Sequence, residues 1–231
     1  MDKKTFINEL LVRGININDQ QYEQLIRLMK DTLQTNEKFN LTAIKEEDAF
    51  LEKMIFDSAI ALQELDLTDK KVIDVGTGAG FPGLVLYILN PKTNLTLLDS
   101  TSKKIEYLSN YAKENNYKIN FLTARAEETG IKEEFDYAFA RAVASLNILV
   151  ELIIPMLKVG GYFIAMKGPG YEKEIMDSLS AFKKLGCSLY KIVEDDLPES
   201  NEKRVMIYIR KDKKTNNKYP RIYKDIKNMP L

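Results

Sequence analysis

The chain has 231 residues, with 34 basic and 34 acidic side chains, one cysteine (Cys187) and no histidine. That length holds one large domain, or one domain with an appendage, around a core that needs neither disulfide nor metal. One cysteine excludes an intrachain disulfide, and the lack of histidine removes the commonest general base and metal ligand together, so no metal site is expected. No run approaches the roughly 20 apolar residues of a membrane span. Met1-Asp2-Lys3-Lys4 leads into a polar amphipathic stretch without an apolar signal core, so a cytoplasmic protein with no membrane partner is the expectation.

The first third reads helical. Tyr22, Leu25, Ile26, Met29 and Leu33 fall at helical spacing behind Asn18 or Asp19 as a cap, and Phe50, Leu51, Met54, Ile55 and Leu62 form a second such set. Asn36-Glu37-Lys38-Phe39-Asn40-Leu41-Thr42-Ala43-Ile44 between them reads as a connector. A helical N-terminal cap over residues 1–66 is expected.

From Lys70 the period changes, and short β-rich runs alternate with helical ones, which argues βαβ units and a parallel sheet. Strands are expected at Lys71–Val75, Asn94–Asp99, Lys118–Leu122, Tyr137–Ala140, Tyr162–Lys167, Ser188–Glu194 and Val205–Arg210. Helices centre on Leu84–Leu89, Lys103–Lys113, Leu146–Leu157 and Glu172–Leu185, and the last two strands flank a hairpin loop at Asp195–Asn201. The fold class is α/β, a Rossmann-like seven-stranded sheet over residues 67–211. By analogy of fold, seven strands with an antiparallel last strand are the sheet of S-adenosylmethionine (SAM)-dependent methyltransferases.

The first strand runs into Asp74-Val75-Gly76-Thr77-Gly78-Ala79-Gly80-Phe81-Pro82-Gly83, a strand, tight turn and helix start. Glycines let the backbone turn sharply and approach a ligand closely. The segment from Gly78 also satisfies the dinucleotide pattern Gly-x-Gly-x-x-Gly, but a carboxylate at Asp74 would repel a pyrophosphate and suits the ammonium and sulfonium charges of SAM. Asp99 ends the second strand and can accept hydrogen bonds from both ribose hydroxyls; its alternative role is to cap the helix that follows. After the third strand, Arg125-Ala126-Glu127-Glu128 would lie beside the adenine, with Glu127 as a plain surface charge the alternative.

Absent motifs narrow the methyl acceptor. Methylation at C5 of a pyrimidine needs a cysteine nucleophile, and Cys187 reads as a small buried hydrophobe. Exocyclic amine methylation uses an Asn/Asp-Pro-Pro-aromatic turn after the fourth strand, where this chain has Phe139-Ala140-Arg141-Ala142. Guanine N7 already carries a free lone pair, so no general base is required, and alignment within an electrostatic site suffices. Arg141 and Lys167 are the cations placed to grip guanine or adjacent phosphates, and Lys167 is the candidate for a direct catalytic role.

Charge is unevenly distributed. Arg210 to Leu231 carries eight basic and two acidic residues, a net of +6 on a body of −6. A basic tail over 212–231, with Tyr219 and Tyr223 among the cations, reaches for RNA phosphate or is a solvated terminus. Lys103, Lys104, Arg125, Lys167, Lys218 and Arg221 are the candidate RNA contacts.

The segments Asn40-Leu41-Thr42-Ala43-Ile44, Asp57-Ser58, the glycine turn through Phe81-Pro82-Gly83, Leu97-Leu98-Asp99-Ser100, Arg125-Ala126-Glu127, Arg141-Ala142-Val143-Ala144 and Lys167-Gly168 occur in that order. Together they resemble the small-subunit ribosomal RNA methyltransferase G family, also called glucose-inhibited division protein B, over about residues 5–231. The resemblance implies SAM-dependent N7 methylation of one guanine of bacterial 16S ribosomal RNA, with the free RNA or the 30S particle as partner and a monomeric enzyme. It places cofactor contacts on Gly76, Phe81, Ala126, Glu127 and Arg141, beside Gly78 and Asp99 from the reading above, and moves Arg141 to the cofactor side. Two departures stand out: Met54 where the family often has histidine, and Lys224-Asp225-Ile226 where it has Gly-Thr-Pro. The rival readings are a non-catalytic RNA-binding assembly factor, a small-molecule or protein methyltransferase with the same cofactor, and a nicotinamide-dependent oxidoreductase.

Overall fold

A computed structural model describes residues 1–38, 40–63 and 65–231; Phe39 of the predicted connector lies outside the described residues. Seven strands form one sheet: β1 (Lys71–Val75), β2 (Asn94–Asp99), β3 (Asn120–Thr123), β4 (Phe135–Arg141), β5 (Leu157–Lys167), β6 (Cys187–Asp196) and β7 (Lys203–Lys211). Their spatial order is β3-β2-β1-β4-β5-β7-β6. Neighbours from β3 to β5 run parallel, and β7 is antiparallel to both β5 and β6. The chain reverses its winding between β1 and β4, and the crevice beyond the carboxyl ends of such strands is where α/β sheets bind ligands.

Alternation of side chains loads both faces. Val72, Leu95, Leu97, Phe139, Ile164 and Met166 face one core, and Ile73, Leu98, Ala138, Ala140, Phe163 and Ala165 face the other. The first core is covered by α1 (Lys3–Val12), α2 (Asp19–Asn36), a continuous helical stretch made of α3 (Glu47–Phe50), a π-helical segment (Leu51–Phe56) and α4 (Asp57–Ile60), then α5 (Gly83–Leu89) and α6 (Ser102–Glu114). The second is covered by α7 (Leu146–Ile153), α8 (Tyr171–Leu185) and α9 (Tyr223–Asn228). The N-terminal helices therefore share one continuous core with a face of the sheet. No helix among the described residues is long and apolar enough to cross a membrane.

Local chemistry accounts for the boundaries. Asn18 caps α2 in a reciprocal box: its carboxamide oxygen accepts from Gln21 N at 2.8 Å while Gln21 Oε1 accepts from Asn18 N at 3.0 Å. Asn36 closes α2 and holds the connector, its Oδ1 accepting from Leu41 N at 2.7 Å and Thr42 N at 2.9 Å. Three expectations shift. The helix expected to reach Leu157 stops at Ile153, because Pro155 sits in a 3-10 turn and Leu157 already pairs with Phe135. Lys118 lies outside β3, its N–H donating to the Tyr87 hydroxyl at 2.9 Å instead of to a strand. The tail is folded rather than solvated: Tyr219 and Ile226 are buried in the second core.

Arg13 joins the first helix to the far edge of the sheet. Its Nε and Nη2 donate to the two Asp195 oxygens at 2.7 and 2.8 Å, and Gln63 adds a third bond to the same carboxylate at 2.9 Å. Both charged side chains are mostly buried, so removing Arg13 leaves the Asp195 carboxylate with neutral donors alone, Gln63 and the Asp196 N–H. Arg13→Met is expected to lower stability by about 2 kcal/mol, read as a lower urea midpoint with an unchanged slope.

Candidate functional site

The turn after β1 is organised from beneath by Asp74. Its carboxylate is 0% exposed, and Oδ2 accepts from Thr77 Oγ1 at 2.7 Å and Gly83 N at 2.9 Å. Oδ1 has no hydrogen-bond partner among the described residues. A β-carbon on Gly83 would lie 2.8 Å from Asp74 Oδ2 and 2.3 Å from Leu97 Cδ2, which is why the helix must open on glycine. From above, the N–H groups of Gly76 and Thr77 donate to Leu98 O at 2.8 and 3.0 Å, so the turn is stitched to β2. Gly76 has φ 72°, and a β-carbon there would meet Val143 at 2.6 Å. The expectation that Asp74 favours the cationic ligand by its charge becomes more specific: the carboxylate lies under the turn, so its field acts through the backbone that it braces.

Asp99 completes the turn from the next strand. Its Oδ2 accepts from Gly78 N at 3.0 Å and its Oδ1 from Thr101 N at 2.8 Å, so it serves both the glycine turn and the start of α6.

Two hollows meet at Gly76. The larger, about 580 Å³, is lined by Gly76, Gly78, Phe81, Arg141, Lys104 and Lys167, together with Asp57, Met54, Lys53 and Arg204. The smaller, about 160 Å³, is lined by Gly76, Asp99, Arg125, Ala126, Glu127, Val143 and Tyr223. Every residue anticipated as a cofactor contact thus lines one of two adjoining hollows. Of the anticipated RNA contacts, Lys103 lines a third cavity of about 700 Å³ between α2 and α6, which Lys104 shares with the larger hollow.

Arg141 and Lys167 are held more tightly than a free ligand-gripping cation. The Arg141 guanidinium donates to Lys53 O at 3.1 Å, Asp57 Oδ2 at 3.2 Å and Met54 Sδ at 2.9 Å, and lies over the Phe81 ring. It ties the π-helical segment to the end of β4. Met54, the departure noted in the sequence, is one of its acceptors. Arg204 Nε reaches the same Asp57 oxygen at 3.3 Å, so one carboxylate stands between two guanidiniums. Burial pushes the Asp57 carboxyl up against the pull of both arginines, and burial lowers Arg141 against the pull of Asp57. Lys167 is 11% exposed; its Nζ donates to Ala144 O and Glu174 Oε2, both at 2.7 Å, and Glu174 also accepts from Leu146 N at 2.7 Å. Lys167 therefore holds the loop between β4 and α7.

The tail cations diverge. Arg221 donates through Nε and Nη2 to Glu151 at 2.8 and 2.6 Å, and Glu151 is fully buried on α7. Lys218 rests its ammonium over the Tyr219 ring at 5.1 Å. Asp57 entered the sequence reading only as part of a motif, and Arg204 not at all. Arg204 reaches the site only through the antiparallel pairing of β7 with β5, for which its neighbours in sequence give no sign.

Burial pushes the Asp74 carboxyl up from 3.8 to about 6, with the Thr77 and Gly83 hydrogen bonds pulling the other way, so desolvation outweighs two good bonds. A carboxyl with a higher native than unfolded pKa binds its proton more tightly when folded. Its stabilising contribution is full below about pH 4 and is lost as pH rises through about 6. Asp74→Asn keeps the acceptor oxygen and removes the titration. Between pH 4 and 7, urea unfolding should show the unsubstituted protein losing about 3 kcal/mol relative to this variant; a constant difference contradicts a buried, titrating carboxyl.

The comparisons with known proteins bear on the fold and the family. A family model described as rRNA small subunit methyltransferase G matches residues 21–204. A protein of Alkaliphilus metalliredigens named ribosomal RNA small subunit methyltransferase G is 45% identical over 214 residues, covering 90% of each chain. One of that name from Lactobacillus acidophilus is 39% identical, covering 96% of this chain and 95% of the other. Among solved structures, a SAM-dependent methyltransferase from Aquifex aeolicus matches with a TM-score of 0.54 at 17% identity, over 78% of this chain and 98% of that one. A SAM-dependent O-methyltransferase from Thermotoga maritima matches at 0.53 and 14%, over 80% and 72%; at such identities the likeness speaks for the fold alone. With a family model spanning most of its length and relatives aligned nearly end to end, the chain belongs to the rRNA small subunit methyltransferase G family.

Proposed function

We propose that the chain transfers the methyl group of SAM to N7 of one guanine in 16S ribosomal RNA, acting as a cytoplasmic monomer on the RNA or on the 30S particle. The relatives' shared name points to small-subunit ribosomal RNA. The observation that carries the chemistry is the basic lining of the larger hollow, where Lys53, Lys104, Arg141, Lys167 and Arg204 stand with Asp57 as the only carboxylate among the described lining residues, while Glu202 and Glu174 outside the lining pair with Lys53, Arg204 and Lys167. Such a lining offers donors to an acceptor-rich ligand. The edge of guanine that carries N7 and O6 presents acceptors only.

The donor fits across the two hollows, its nucleoside end in the smaller one beside Asp99, Ala126 and Glu127 and its sulfonium end over Gly76 and Gly78. When bound it supplies an activated methyl group. Asp99 offers carboxylate oxygens where ribose hydroxyls would lie, Gly78 leaves open space above the turn, and Phe81 with Met54 walls the methyl end from water. Lone-pair attack by N7 on the methyl carbon expels the sulfur, so no proton has to be removed before transfer. The residues' task is alignment. The guanine has to leave its stack to enter the hollow. Binding through Lys103, Lys104 and Arg125 should weaken as salt rises.

The test is to incubate the protein with small subunits lacking the modification and with methyl-labelled SAM. Label should appear on one guanine, at an atom that makes the strand cleavable by borohydride and aniline. Label on another atom, turnover of small molecules without RNA, or no SAM binding by calorimetry overturns the reading.

A further inference from the structure

The charge of the C-terminal segment suits either RNA phosphate or solvent, and the structure docks the segment on the second core. Arg221 is clamped to Glu151 by three bonds: its backbone N–H donates to Oε1 at 3.0 Å, Nε to Oε1 at 2.8 Å, and Nη2 to Oε2 at 2.6 Å. Glu151 is completely buried, so the pair carries a desolvation cost that only full pairing offsets. Arg221 Nη2 also donates to Met229 O at 3.0 Å, which fastens the far end of α9 to its beginning. Upstream, Thr215 Oγ1 donates to Leu185 O at 2.8 Å, Lys132 Nζ donates to Tyr219 O, and the Tyr219 ring is buried. Downstream, Ile226 is buried in the core beneath the second face. A segment anchored at four points has little freedom to act as an arm.

These anchors place Tyr223 at the smaller hollow, where its ring shares the lining with Asp99, Ala126 and Glu127. The Arg125 guanidinium lies over the same ring, 5.9 Å from its centroid, and Arg125, Glu127 and Tyr223 also border a neighbouring surface recess with Pro220 and Arg221. From these placements we infer that Tyr223 is a cofactor-positioning residue: its ring forms the outer wall of the nucleoside end of the SAM site, and the tail's main task is to hold it there. The inference rests on the reading that the donor's nucleoside occupies this hollow.

The chemistry suits a purine. An aromatic ring beside a nucleobase gains apolar contact and stacking without reading base identity. Glu127 on the opposite loop can supply a hydrogen-bond acceptor for an exocyclic amine. Arg125 over the Tyr223 ring keeps it oriented by a cation–π contact.

Calorimetric titration of SAM into four full-length proteins tests this: the unsubstituted chain, Tyr223→Ala, Tyr223→Phe and Asp99→Asn. Tyr223→Ala should weaken SAM binding about tenfold, Tyr223→Phe should stay within about twofold, and Asp99→Asn should also lose affinity. RNA affinity and its salt slope, measured without SAM, should be the same for Tyr223→Ala as for the unsubstituted chain. Unchanged SAM affinity in Tyr223→Ala with a loss in Asp99→Asn overturns the role of Tyr223 alone. No loss in either shows that the nucleoside lies elsewhere and overturns the reading beneath it as well. Weakened RNA binding in Tyr223→Ala with SAM affinity intact would make the tail an RNA contact after all. The same point can be read in the unsubstituted protein. Nuclear Overhauser transfer from the adenine protons of bound SAM to the Tyr223 ring is expected, and its absence contradicts the inference.

Discussion

The site depends on one buried carboxylate. Asp74 closes two hydrogen bonds across the nine residues from β1 to α5, one to the Thr77 hydroxyl and one to the Gly83 amide, with no solvent to share the load. Those bonds fix where β1 ends, how the glycines turn and where the helix starts. The turn then presents Gly76 and Gly78 at the carboxyl edge of the sheet, and Asp99 accepts the Gly78 amide from the next strand. Two acids on adjacent strands thereby set the backbone of the whole crevice, one from below and one from the side. The raised pKa of Asp74 measures the cost, since burial outweighs the bonds that the carboxylate makes.

A second constraint joins the N-terminal helices to this crevice. Asp57 stands between Arg141 at the end of β4 and Arg204 on β7, and Arg141 also binds Lys53 O and Met54 Sδ in the π-helical segment. Glu202 pairs with both Arg204 and Lys53, so these five side chains carry one more positive charge than negative, beside a hollow that Lys104 and Lys167 also line. The helices therefore do more than cover the sheet. They orient an arginine at the mouth of the site and bring the Leu41-Thr42 connector to its rim. Lys167 and Glu174 perform the matching task on the other side, holding the loop that carries Val143 against Gly76.

Much of this was legible in the sequence, where local chemistry decides local structure. β1 and β2 fall on their anticipated bounds, because each apolar run carries an acid at or next to its last residue and then gives way to glycine or serine. The anticipated cofactor residues line adjoining hollows because they sit at the carboxyl ends of β1, β2 and β4 or in the loops that follow β1 and β3, positions that chain order fixes once these strands run parallel. What remained hidden depends on distant pairings. Nothing near Asp57 announces Arg141, 84 residues on, or Arg204 beyond it. The tail's charge pattern pointed outward, yet Lys211 is buried with its ammonium on Leu157 O at 2.7 Å and Arg221 is bound to Glu151. The signal for that docking was present but small: a lone Glu151 inside the apolar run Leu149-Val150-Glu151-Leu152-Ile153, a buried charge in need of a partner.

On the proposed reading, the Asp74 bonds hold the turn in its donor-binding shape. Asp74→Ala removes both acceptors without adding bulk to the packed turn, so calorimetric titration of SAM into this variant separates those bonds from the rest of the site, with circular dichroism as the check on the fold. A retained α/β spectrum with SAM affinity lowered by about thirtyfold or more is expected. Affinity equal to that of the unsubstituted protein, in a variant that folds, would contradict it.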